Sequence, residues 1–271
     1  MSQSNLGLAA GAVFDRLAPT YDLVFTDSRI GRAQRSAVWQ VLLKTFHTDD
    51  HILELNCGTG EDALFLASHG ISVFACDASQ QMIARAEARL EQCSPATPIV
   101  FRQLPTESIG SLDPADRFDG AFSNFSGLNC VRDLASVAEA LSTLVKSGRP
   151  LLLCFSTRIC LIEILYYLLR GQPGKALRRC KGVSKATLNG ASLAVYYPSL
   201  SDLRRAFEPY FRLRSTTGIG VAIPPSYLEL WARRHPRIFN MLCRLESYLS
   251  TIPLLRTTGD HVLLCFERVA P

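Results

Sequence analysis

Residues 52–62 read ILELNCGTGED, and residues 73–77 read VFACD. The first stretch has the pattern of a buried strand that runs through a tight glycine turn into a helix, and the second is a strand that ends in an acid. A glycine turn lets a ligand approach the backbone closely, because no Cβ stands in the way. An acid about twenty residues further on can accept hydrogen bonds from the two hydroxyls of a ribose. Together the stretches predict a nucleoside-bearing cofactor at the carboxyl ends of parallel strands.

The turn differs from the G-x-G-x-x-G fingerprint of dinucleotide-binding proteins. Asn56 replaces the first glycine, the third glycine is absent, and Glu61 and Asp62 lie where the following helix begins. Acids are favourable at a helix N-terminus, but there they would repel a bound diphosphate. The turn therefore favours a cofactor without phosphate and with a positive charge, such as S-adenosylmethionine. The nicotinamide cofactor of an NAD-dependent oxidoreductase is the less favoured alternative.

At this turn the sequence resembles the class I S-adenosylmethionine-dependent methyltransferases, whose first motif has the form E/D-h-x-x-G-x-G. Three further segments are similar, in order and spacing, to the ubiquinone/menaquinone-type, small-molecule branch of that family. They are the opening segment 13–22, a fourth strand at 117–125 and the entry to a fifth strand at 146–153, where Ser147 and Arg149 replace Pro and Gly. The resemblance covers residues 10–157 and implies a methyltransferase that uses S-adenosyl-L-methionine.

Apolar strands that alternate with helices predict an α/β fold. The predicted strands are 51–56, 72–76, 99–103, 118–123, 150–156, 211–216 and 261–268, with helices at 61–68, at 80–92 after an N-capping Ser79, and at 201–207. Continuous apolar strands separated by helices are typical of a parallel sheet that is covered on both faces. The resemblance implies a Rossmann-like, doubly wound sheet of seven strands, the last of them antiparallel, with an N-terminal helical lid.

We expect three segments along the chain. Residues 1–157 form the lid and the cofactor-binding core, residues 158–200 form a cap insertion, and residues 201–271 complete the sheet around a second helical insertion at about 224–252. The cap is expected to begin as an apolar helix, to continue as a basic loop and to end in a strand. Both insertions leave the core near the carboxyl ends of the strands, where substrate is usually recognised.

Composition narrows the class of protein. The chain has 271 residues and a net charge of +5, and 48% of its residues are hydrophobic, as is typical of a globular protein with a substantial core. Its nine cysteines form no C-x-x-C pair and no zinc-ligand pattern with histidines, which favours a reducing, cytoplasmic location and no bound metal. We expect neither a signal peptide nor a membrane span, since no apolar stretch reaches about 18 residues.

The strongest candidates for cofactor binding lie on the first two loops of the resembling core. Asp77, followed by Ala78, is expected to accept the ribose hydroxyls, and a helix-capping acid is the alternative. The resemblance places Glu54 near the ammonium group of the methionine tail, and a buried structural acid is the alternative. Gly58 and Gly60 are expected to bring the backbone close to the adenosine and the tail.

Seven further residues are weaker candidates for the same site. Asn56 occupies a glycine position, so its side chain is expected to narrow or rebuild that corner. Asp62 is expected either to reach the ammonium or ribose group or to be a solvated acid of the first helical turn. The remaining candidates, with loop or packing roles as the alternatives, are Thr106 and Glu107 for the adenine, Asn124 for the methionine moiety, and Phe14 and Tyr21 as a lid.

Methyl transfer is an in-line displacement that depends on positioning and on the exclusion of water. A general base is required only if the acceptor is a hydroxyl, a protonated amine or an acidic carbon. His261, beside Asp260 at the mouth of the last strand, and Tyr196 in the cap are the candidate catalytic residues. A surface histidine and an aromatic wall of the cap are the alternatives.

The cap indicates the kind of acceptor. It is apolar and aromatic at its start and then basic, with no acid among residues 164–201. This pattern favours a hydrophobic or aromatic small molecule methylated on oxygen, nitrogen or carbon, such as a secondary metabolite, a quinone or an isoprenoid. Ordinary core packing and peripheral contact with a membrane are alternatives. Nucleic acid is not expected, because aromatic and basic residues do not alternate as a stacking platform. A non-catalytic S-adenosylmethionine-binding protein is the alternative function, and no feature assigns an oligomeric state.

Overall fold

The computed structural model describes residues 3–93, 95, 97–113, 115, 117–188 and 190–270. Its strands, in chain order, are β1 (His51–Leu55), β2 (Ser72–Asp77), β3 (Ile99–Gln103), β4 (Gly120–Ser123), β5 (Pro150–Ser156), β6 (Val183–Leu188), β7 (Ala191–Tyr196), β8 (Phe211–Ile219) and β9 (His261–Arg268). Seven of them form one sheet in the order β3-β2-β1-β4-β5-β9-β8, and β6 and β7 form a separate hairpin.

Parallel pairing runs through the first five strands of the large sheet. β9 is antiparallel to both of its neighbours, β5 and β8. The predicted fold class, a Rossmann-like sheet of seven strands with the last one antiparallel, is confirmed. Because β1 and β4 are neighbours, their carboxyl ends open a crevice at the point where the strand order reverses, which is where open α/β sheets bind ligands.

Four predicted strands differ in a boundary, and β2 ends at Asp77 instead of Cys76. β1 ends at Leu55, because Asn56 adopts a left-handed backbone conformation with φ of 57°. β4 begins two residues later than predicted, since Phe118 makes only an isolated bridge to Val145. β8 continues to Ile219, where its last residue pairs with His261 of β9.

Helices cover both faces of the sheet and its carboxyl edge. They are α1 (Gln3–Tyr21), α2 (Arg29–Thr45), α3 (Glu61–Ser68), α4 (Gln80–Glu91), α5 (Leu134–Leu144), α6 (Leu161–Leu169), α7 (Pro173–Ala176), α8 (Leu200–Phe207), α9 (Glu229–Arg234) and α10 (Pro236–Leu249). A π-helical turn, Asp22–Thr26, follows α1. The Ser79 hydroxyl accepts a hydrogen bond from the backbone N–H of Met82, so the predicted N-cap of α4 is present.

Alternate residues of β1 fill two hydrophobic clusters, one on each face of the sheet. Leu53 and Leu55 lie in the cluster that contains Leu141 of α5, whereas Ile52 lies with Leu66 of α3 on the other face. Each of these side chains is buried, and full burial of a leucine or isoleucine contributes about 1.5–3 kcal/mol. The sheet is therefore a rigid platform for the loops at its carboxyl edge.

The N-terminal helix is fixed over that edge. Oδ1 of Asp15 accepts hydrogen bonds from the Ser79 hydroxyl at 2.6 Å and from the backbone N–H of Gln81 at 2.9 Å. Gly11 lies against the loop before α4, where a Cβ would come within 2.8 Å of the carbonyl carbon of Ala78. Only glycine permits this approach, and it brings α1 directly onto the end of β2.

The π-helical turn is held to the glycine turn by polar contacts. Oδ1 of Asp22 accepts a hydrogen bond from the Thr59 hydroxyl at 2.6 Å, and its other oxygen pairs with Arg89 at 2.8 Å. Arg89 also pairs with Glu61. α1 and this turn therefore cover the loop that follows β1, as the predicted lid would.

The cap differs from the predicted helix, basic loop and strand. After α6 the basic segment folds as α7, a 3-10 turn (Arg179–Lys181) and the strand β6, which pairs with β7 in an antiparallel hairpin. The expected helix at the start of the cap is present as α6, but the segment between it and β7, which was expected as one basic loop, contains α7, the 3-10 turn and β6. The second insertion is helical as expected, with a 3-10 turn (Ser226–Leu228) before α9 and α10.

Two sequence expectations concern the chain as a whole. Among the described residues, no helix has both the length and the apolar composition that crossing a bilayer requires. All nine cysteines are free, and four of them, Cys57, Cys76, Cys154 and Cys160, are buried in the core.

Candidate active site

The central cavity lies at the carboxyl ends of β1, β2 and β4, under α1 and against the β6–β7 hairpin. Nine of the residues predicted for the cofactor line it: Phe14, Tyr21, Asn56, Gly58, Asp77, Ala78, Thr106, Glu107 and Asn124. Three others, Glu54, Gly60 and Asp62, do not. Met82, Cys130 and the hairpin residues Leu193 and Val195 complete an apolar wall that the sequence did not indicate.

The two glycines of the turn have different surroundings. Gly58 has φ of 54° and faces the cavity, and the nearest atom to a Cβ there would be Cε1 of Tyr21 at 3.9 Å. Gly60 has φ of 76° and is turned away, since a Cβ there would lie 2.8 Å from both Ala86 and Phe101. Gly60 therefore begins α3 and allows close packing, while Gly58 provides the open backbone at the cavity.

Asn56 has rebuilt the corner where a glycine was expected. Its Nδ2 donates to the Thr106 hydroxyl at 3.0 Å, and its Oδ1 accepts from the Ser123 hydroxyl at 3.1 Å. A Cβ on Gly127 would lie 2.7 Å from Asn56 Oδ1 and closer still to its Cβ and Cγ. Gly127, which lies 71 residues further along the chain and after β4, therefore leaves the space that the Asn56 side chain requires at this position of the first motif.

The Asp77 carboxylate is placed by two backbone amides. Oδ2 accepts from the N–H of Gly58 at 2.9 Å, and Oδ1 accepts from the N–H of Ser79 at 2.8 Å. Burial raises the pKa of Asp77 above its ordinary value, although both amides act in the opposite direction. The carboxylate therefore ties the glycine turn to the start of α4 and still borders the cavity.

Glu54 is a buried acid beneath the turn. It is 1% exposed, and its Oε2 has no hydrogen-bond partner among the described residues. Burial raises the pKa of Glu54 well above the ordinary value, the nearby Asp62 adds to this, and Arg35 acts in the opposite direction. A buried carboxyl oxygen without a hydrogen-bond partner is energetically unfavourable. Oε2 of Glu54 therefore requires a donor that the described residues do not supply.

Asp62 is not the solvated first-turn acid that was one expectation. It is 4% exposed, and its Oδ1 lies 2.7 Å from Nη1 of Arg35 and accepts from Nε1 of Trp39 at 2.6 Å. Its Oδ2 accepts from Nδ2 of Asn124 at 3.0 Å. Both oxygens have protein partners, so Asp62 acts by holding α2 and the loop after β4.

That loop has an unusual backbone. Phe125 and Ser126 have φ of 45° and 68°, conformations that cost non-glycine residues about 1–3 kcal/mol each. Three contacts hold them: the N–H of Phe125 donates to Oδ1 of Asn124, the N–H of Ser126 donates to the carbonyl of Cys154, and the hydroxyls of Ser126 and Ser156 lie 2.7 Å apart. Strain retained in this way is typical of functional sites, and sequence reasoning missed both residues.

A second cavity adjoins the central cavity across this loop. The two cavities share Tyr21, Phe125 and Ser126. Apolar side chains of the lid, including Val24 and Phe25, form one side of the second cavity. Polar residues form the other side: Ser156, Arg178, Arg179, Tyr227, Asp260 and His261. Its polar residues come from β5, the cap, the second insertion and the start of β9.

The polar residues of the second cavity form a buried ion network. The Glu163 carboxylate, 1% exposed, accepts from Nη2 of Arg179 at 2.6 Å, from Nε of Arg178 at 3.0 Å and from the Tyr227 hydroxyl at 3.2 Å. Nη2 of Arg179 also donates to Oδ1 of Asp260 at 2.8 Å. Arg179 therefore joins α6 of the cap to the residue before β9.

The two predicted catalytic residues have different positions. His261 is 7% exposed and lines the second cavity, with its ring edge-on to Phe125 at a centroid distance of 5.6 Å. Tyr196 lines a separate hollow beside Asp202, on the opposite face of β7 from Leu193 and Val195. Successive side chains of a strand point to opposite faces, so Tyr196 points away from both cavities and the structure does not bring it together with His261.

Comparisons with known proteins agree with this geometry. A family model described as a methyltransferase domain matches residues 52–148. A ubiquinone/menaquinone biosynthesis C-methyltransferase of Geotalea uraniireducens is 31% identical over 163 residues, which are 57% of this chain and 67% of that protein. A 2-phytyl-1,4-naphtoquinone methyltransferase of Synechococcus elongatus is 29% identical over 144 residues, 52% of this chain and 60% of that protein. The matches thus span about two thirds of these relatives or less.

The fold has close counterparts among solved structures. An S-adenosylmethionine-dependent methyltransferase of Mesorhizobium loti superposes with a TM-score of 0.57 at 15% identity, over 88% of this chain and 100% of that one. Fold, cavity and relatives together define an S-adenosylmethionine-dependent methyltransferase. The chain belongs to the class I family of these enzymes, in its small-molecule branch, and its cofactor is S-adenosyl-L-methionine.

Proposed function

We propose that the central cavity binds S-adenosylmethionine and that the second cavity binds a hydrophobic or aromatic small molecule, which receives the methyl group across the loop between them. The observation that carries this proposal is the shared boundary of Tyr21, Phe125 and Ser126. The bound cofactor supplies a methyl group on a positively charged sulfur. The protein supplies two adjoining sites that hold acceptor and methyl carbon in line and exclude water.

The residues that line the central cavity, together with the acid buried beneath its glycine turn, fit this cofactor. Oε2 of Glu54 lacks a partner, and the ammonium group of the methionine tail is the kind of donor it requires. Asp77 borders the cavity with a carboxylate suited to the ribose hydroxyls, and Gly58 leaves its backbone open beside it. Thr106 and Glu107 lie on the adenine side in this proposal, with Phe14 and Tyr21 of the lid closing the cavity.

The acceptor proposal rests on the walls of the second cavity and on the relatives. Lid residues such as Leu17, Val24 and Phe25 present apolar surface, and the cap at 158–200 contributes the polar end. The names of two relatives refer to quinones. We therefore propose a hydrophobic ring compound, of the quinone or a similar secondary-metabolite class, as the acceptor. The free, scattered cysteines support a reducing, cytoplasmic site of action.

A membrane surface is a second place where such an acceptor could be met. α6 exposes Leu161, Leu165, Leu168 and Leu169, the last of them 79% exposed, and Arg170 and Lys175 follow directly. An apolar helix face beside basic residues is suited to an anionic bilayer. Cosedimentation with vesicles of mixed anionic and neutral lipid tests this, and binding that Leu165→Glu and Leu169→Glu abolish is the expected result.

The first experiment is calorimetric titration with S-adenosylhomocysteine, followed by a screen of reduced naphthoquinones and other ring compounds with labelled S-adenosylmethionine. We expect micromolar binding of S-adenosylhomocysteine and transfer of label to at least one hydrophobic ring acceptor. Binding without transfer to any acceptor would instead favour a non-catalytic S-adenosylmethionine-binding role.

A further inference from the structure

The second cavity contains one imidazole with an unpartnered nitrogen. Nδ1 of His261 is buried, has no hydrogen-bond partner among the described residues, and lies 3.5 Å from Oδ2 of Asp260. The two nitrogens of an imidazole lie on different edges of the ring. Nδ1 near Asp260 therefore leaves Nε2 on the edge away from that carboxylate.

Asp260 is held by groups other than the histidine. Its Oδ1 accepts from Arg179 at 2.8 Å, and its Oδ2 accepts from Nε2 of Gln34 at 3.2 Å. The negative charge of Asp260 is thus largely balanced by Arg179 before His261 takes part. Burial lowers the pKa of His261, Arg179 lowers it further, and Asp260 acts in the opposite direction. The resting imidazole is neutral at pH 7 and keeps a free lone pair.

We propose that His261 is the general base of the methyl transfer and that the acceptor presents a phenol-type hydroxyl to it. This inference rests on the proposed function and names its substrate class. The hydroxyl proton passes to His261, the oxygen forms a bond to the methyl carbon, and the carbon–sulfur bond breaks with its electron pair remaining on sulfur. The product is a methyl ether, and the proton leaves His261 for solvent after the step.

The residues around His261 suit both its neutral form and the imidazolium that forms when it accepts the hydroxyl proton. Asp260 lies close enough to stabilise the imidazolium once it forms, in the way that the aspartate of a catalytic triad orients and supports its histidine. Phe125 packs edge-on against the imidazole and also borders the central cavity, so an aromatic acceptor stacked beside it has its hydroxyl near His261 and its other edge toward the methyl group. Asp260 and Arg179 are positioning residues in this scheme.

The charged and titratable groups around His261 come from several elements. They are Asp260 beside it, Arg178 and Arg179 from the cap, Glu163 from α6, Tyr227 from the 3-10 turn before α9, and Tyr21 from α1. Burial raises the pKa of Tyr21 to about 12 and that of Tyr227 still higher, so both phenols stay protonated. The four charged groups, two arginines and two acids, balance one another, which leaves the neutral imidazole of His261 as the group that can accept the hydroxyl proton during methyl transfer.

The test uses 4-nitrophenol as methyl acceptor with S-adenosylmethionine, at pH values where free 4-nitrophenol is mostly neutral, and measures formation of the methyl ether. We expect His261→Gln to lower kcat/KM for 4-nitrophenol by about 10²- to 10⁴-fold. His47→Gln, whose histidine is exposed on a distant loop, should keep the wild-type value. Wild-type kcat/KM should rise with pH through the lowered pKa of His261, and His261→Gln should lose this dependence while it keeps its affinity for S-adenosylhomocysteine.

A second variant separates a base from a structural residue. His261→Ala leaves space for free imidazole, and added imidazole should restore part of the activity in proportion to its neutral form. The inference is overturned if wild-type protein does not methylate 4-nitrophenol, if His261→Gln methylates it equally well, or if the methyl group is found on carbon. Loss of S-adenosylhomocysteine binding by the wild-type protein is a separate result, which would refute the proposed function itself.

Discussion

The central cavity and the second cavity adjoin at Phe125 and Ser126, yet they are built in different ways. The central cavity is framed by loops that directly follow β1, β2 and β4, and backbone amides and glycines shape it. The second cavity is framed by side chains from the lid, the cap, the second insertion and β9, and a buried ion network connects them. The polar part of the central cavity is thus a property of the core, which α1 and the β6–β7 hairpin cover, whereas the second cavity exists only when the lid, the cap, the second insertion and β9 have come together.

The contrast between a cavity shaped by the backbone and one held by an ion network indicates which residues determine stability and which determine specificity. Buried ion pairs bring little net stability over apolar packing, but removal of one partner leaves an uncompensated charge. The second cavity therefore depends strongly on single side chains, and its chemistry can change with the cap. The central cavity depends on backbone geometry, which is less easily altered by one substitution.

The largest expected effect is that of Arg179→Met, which tests the dependence of the second cavity on one cation. The variant leaves the buried carboxylates of Glu163 and Asp260 without their shared partner, whose side chain is 8% exposed. We expect a loss of about 3–5 kcal/mol in the free energy of unfolding, measured by urea denaturation.

Arg178→Met is the matched control. Arg178 also pairs with Glu163, but its side chain is 39% exposed, so its loss should cost no more than about 1 kcal/mol. In the folded fraction of Arg179→Met, affinity for S-adenosylhomocysteine should stay near the wild-type value. A parallel fall in that affinity would mean that the two cavities form one cooperative unit, contrary to the comparison.

Asp77→Ala makes the corresponding test of the central cavity. Removal of a charge-assisted hydrogen bond to the ribose should weaken S-adenosylhomocysteine binding by about 1.5–3 kcal/mol, or about 10- to 150-fold, as measured by calorimetry. Asp27→Ala, which removes an exposed acid paired with Arg32, should bind normally. Wild-type affinity in Asp77→Ala would show that the carboxylate serves only the amides of Gly58 and Ser79.

The same contrast explains what the sequence could predict. The approximate positions of the core strands, the N-cap at Ser79 and the glycine turn with Asp77 followed from local patterns, because a strand, its turn and its helix are contiguous in the chain. The resemblance supplied most of the other predicted residues that line the central cavity. Gly60 was assigned to the cofactor because spacing alone cannot tell which side of a turn a missing Cβ faces. The structure shows Ala86 and Phe101 on that side.

The second cavity could not be predicted in the same way. Glu163 and Arg179 are 16 residues apart, with the helix α7 between them, and Asp260 is 81 residues further on, so no local spacing joins them. The basic segment of the cap was expected as a loop, whereas Arg179 is buried and pairs with the two acids Glu163 and Asp260. The position of Tyr196 outside both cavities could not be foreseen for a related reason: without the register of the β6–β7 hairpin, the face of each side chain is undetermined.

A smaller effect on stability is expected where the Asn56 side chain packs against Gly127, at the turn after β1. Gly127→Ala places a Cβ against the side chain of Asn56 and should cost about 1–3 kcal/mol in the free energy of unfolding. The double variant Asn56→Gly/Gly127→Ala should recover most of this loss, because the left-handed conformation at position 56 suits glycine. Gly110→Ala, whose Cβ would meet its nearest neighbour at 3.8 Å, is the control and should be nearly neutral.

The smallest effect concerns Glu54, a buried acid without a hydrogen-bond partner that lies beneath the glycine turn of the central cavity. A carboxyl whose folded pKa is raised above its unfolded value holds its proton in the folded state at a pH where the unfolded chain has lost it. Folding stability therefore falls as pH rises above the unfolded pKa of about 4.3, and Glu54→Gln removes this penalty. Without cofactor, Glu54→Gln should melt higher than wild type at pH 7, by about 2–4 °C for each kcal/mol regained.

With cofactor the order should reverse. S-adenosylhomocysteine carries the same ammonium group as S-adenosylmethionine, and a charged partner for Oε2 of Glu54 compensates its burial. Wild type should then gain more in melting temperature than Glu54→Gln, and the pH dependence of wild-type stability should flatten. A larger gain for wild type than for Glu54→Gln is informative, because packing alone would give both proteins the same rise in melting temperature. If Glu54→Gln melts higher and binds S-adenosylhomocysteine equally well, Glu54 is a structural acid, and the ammonium group of the cofactor is held by other residues.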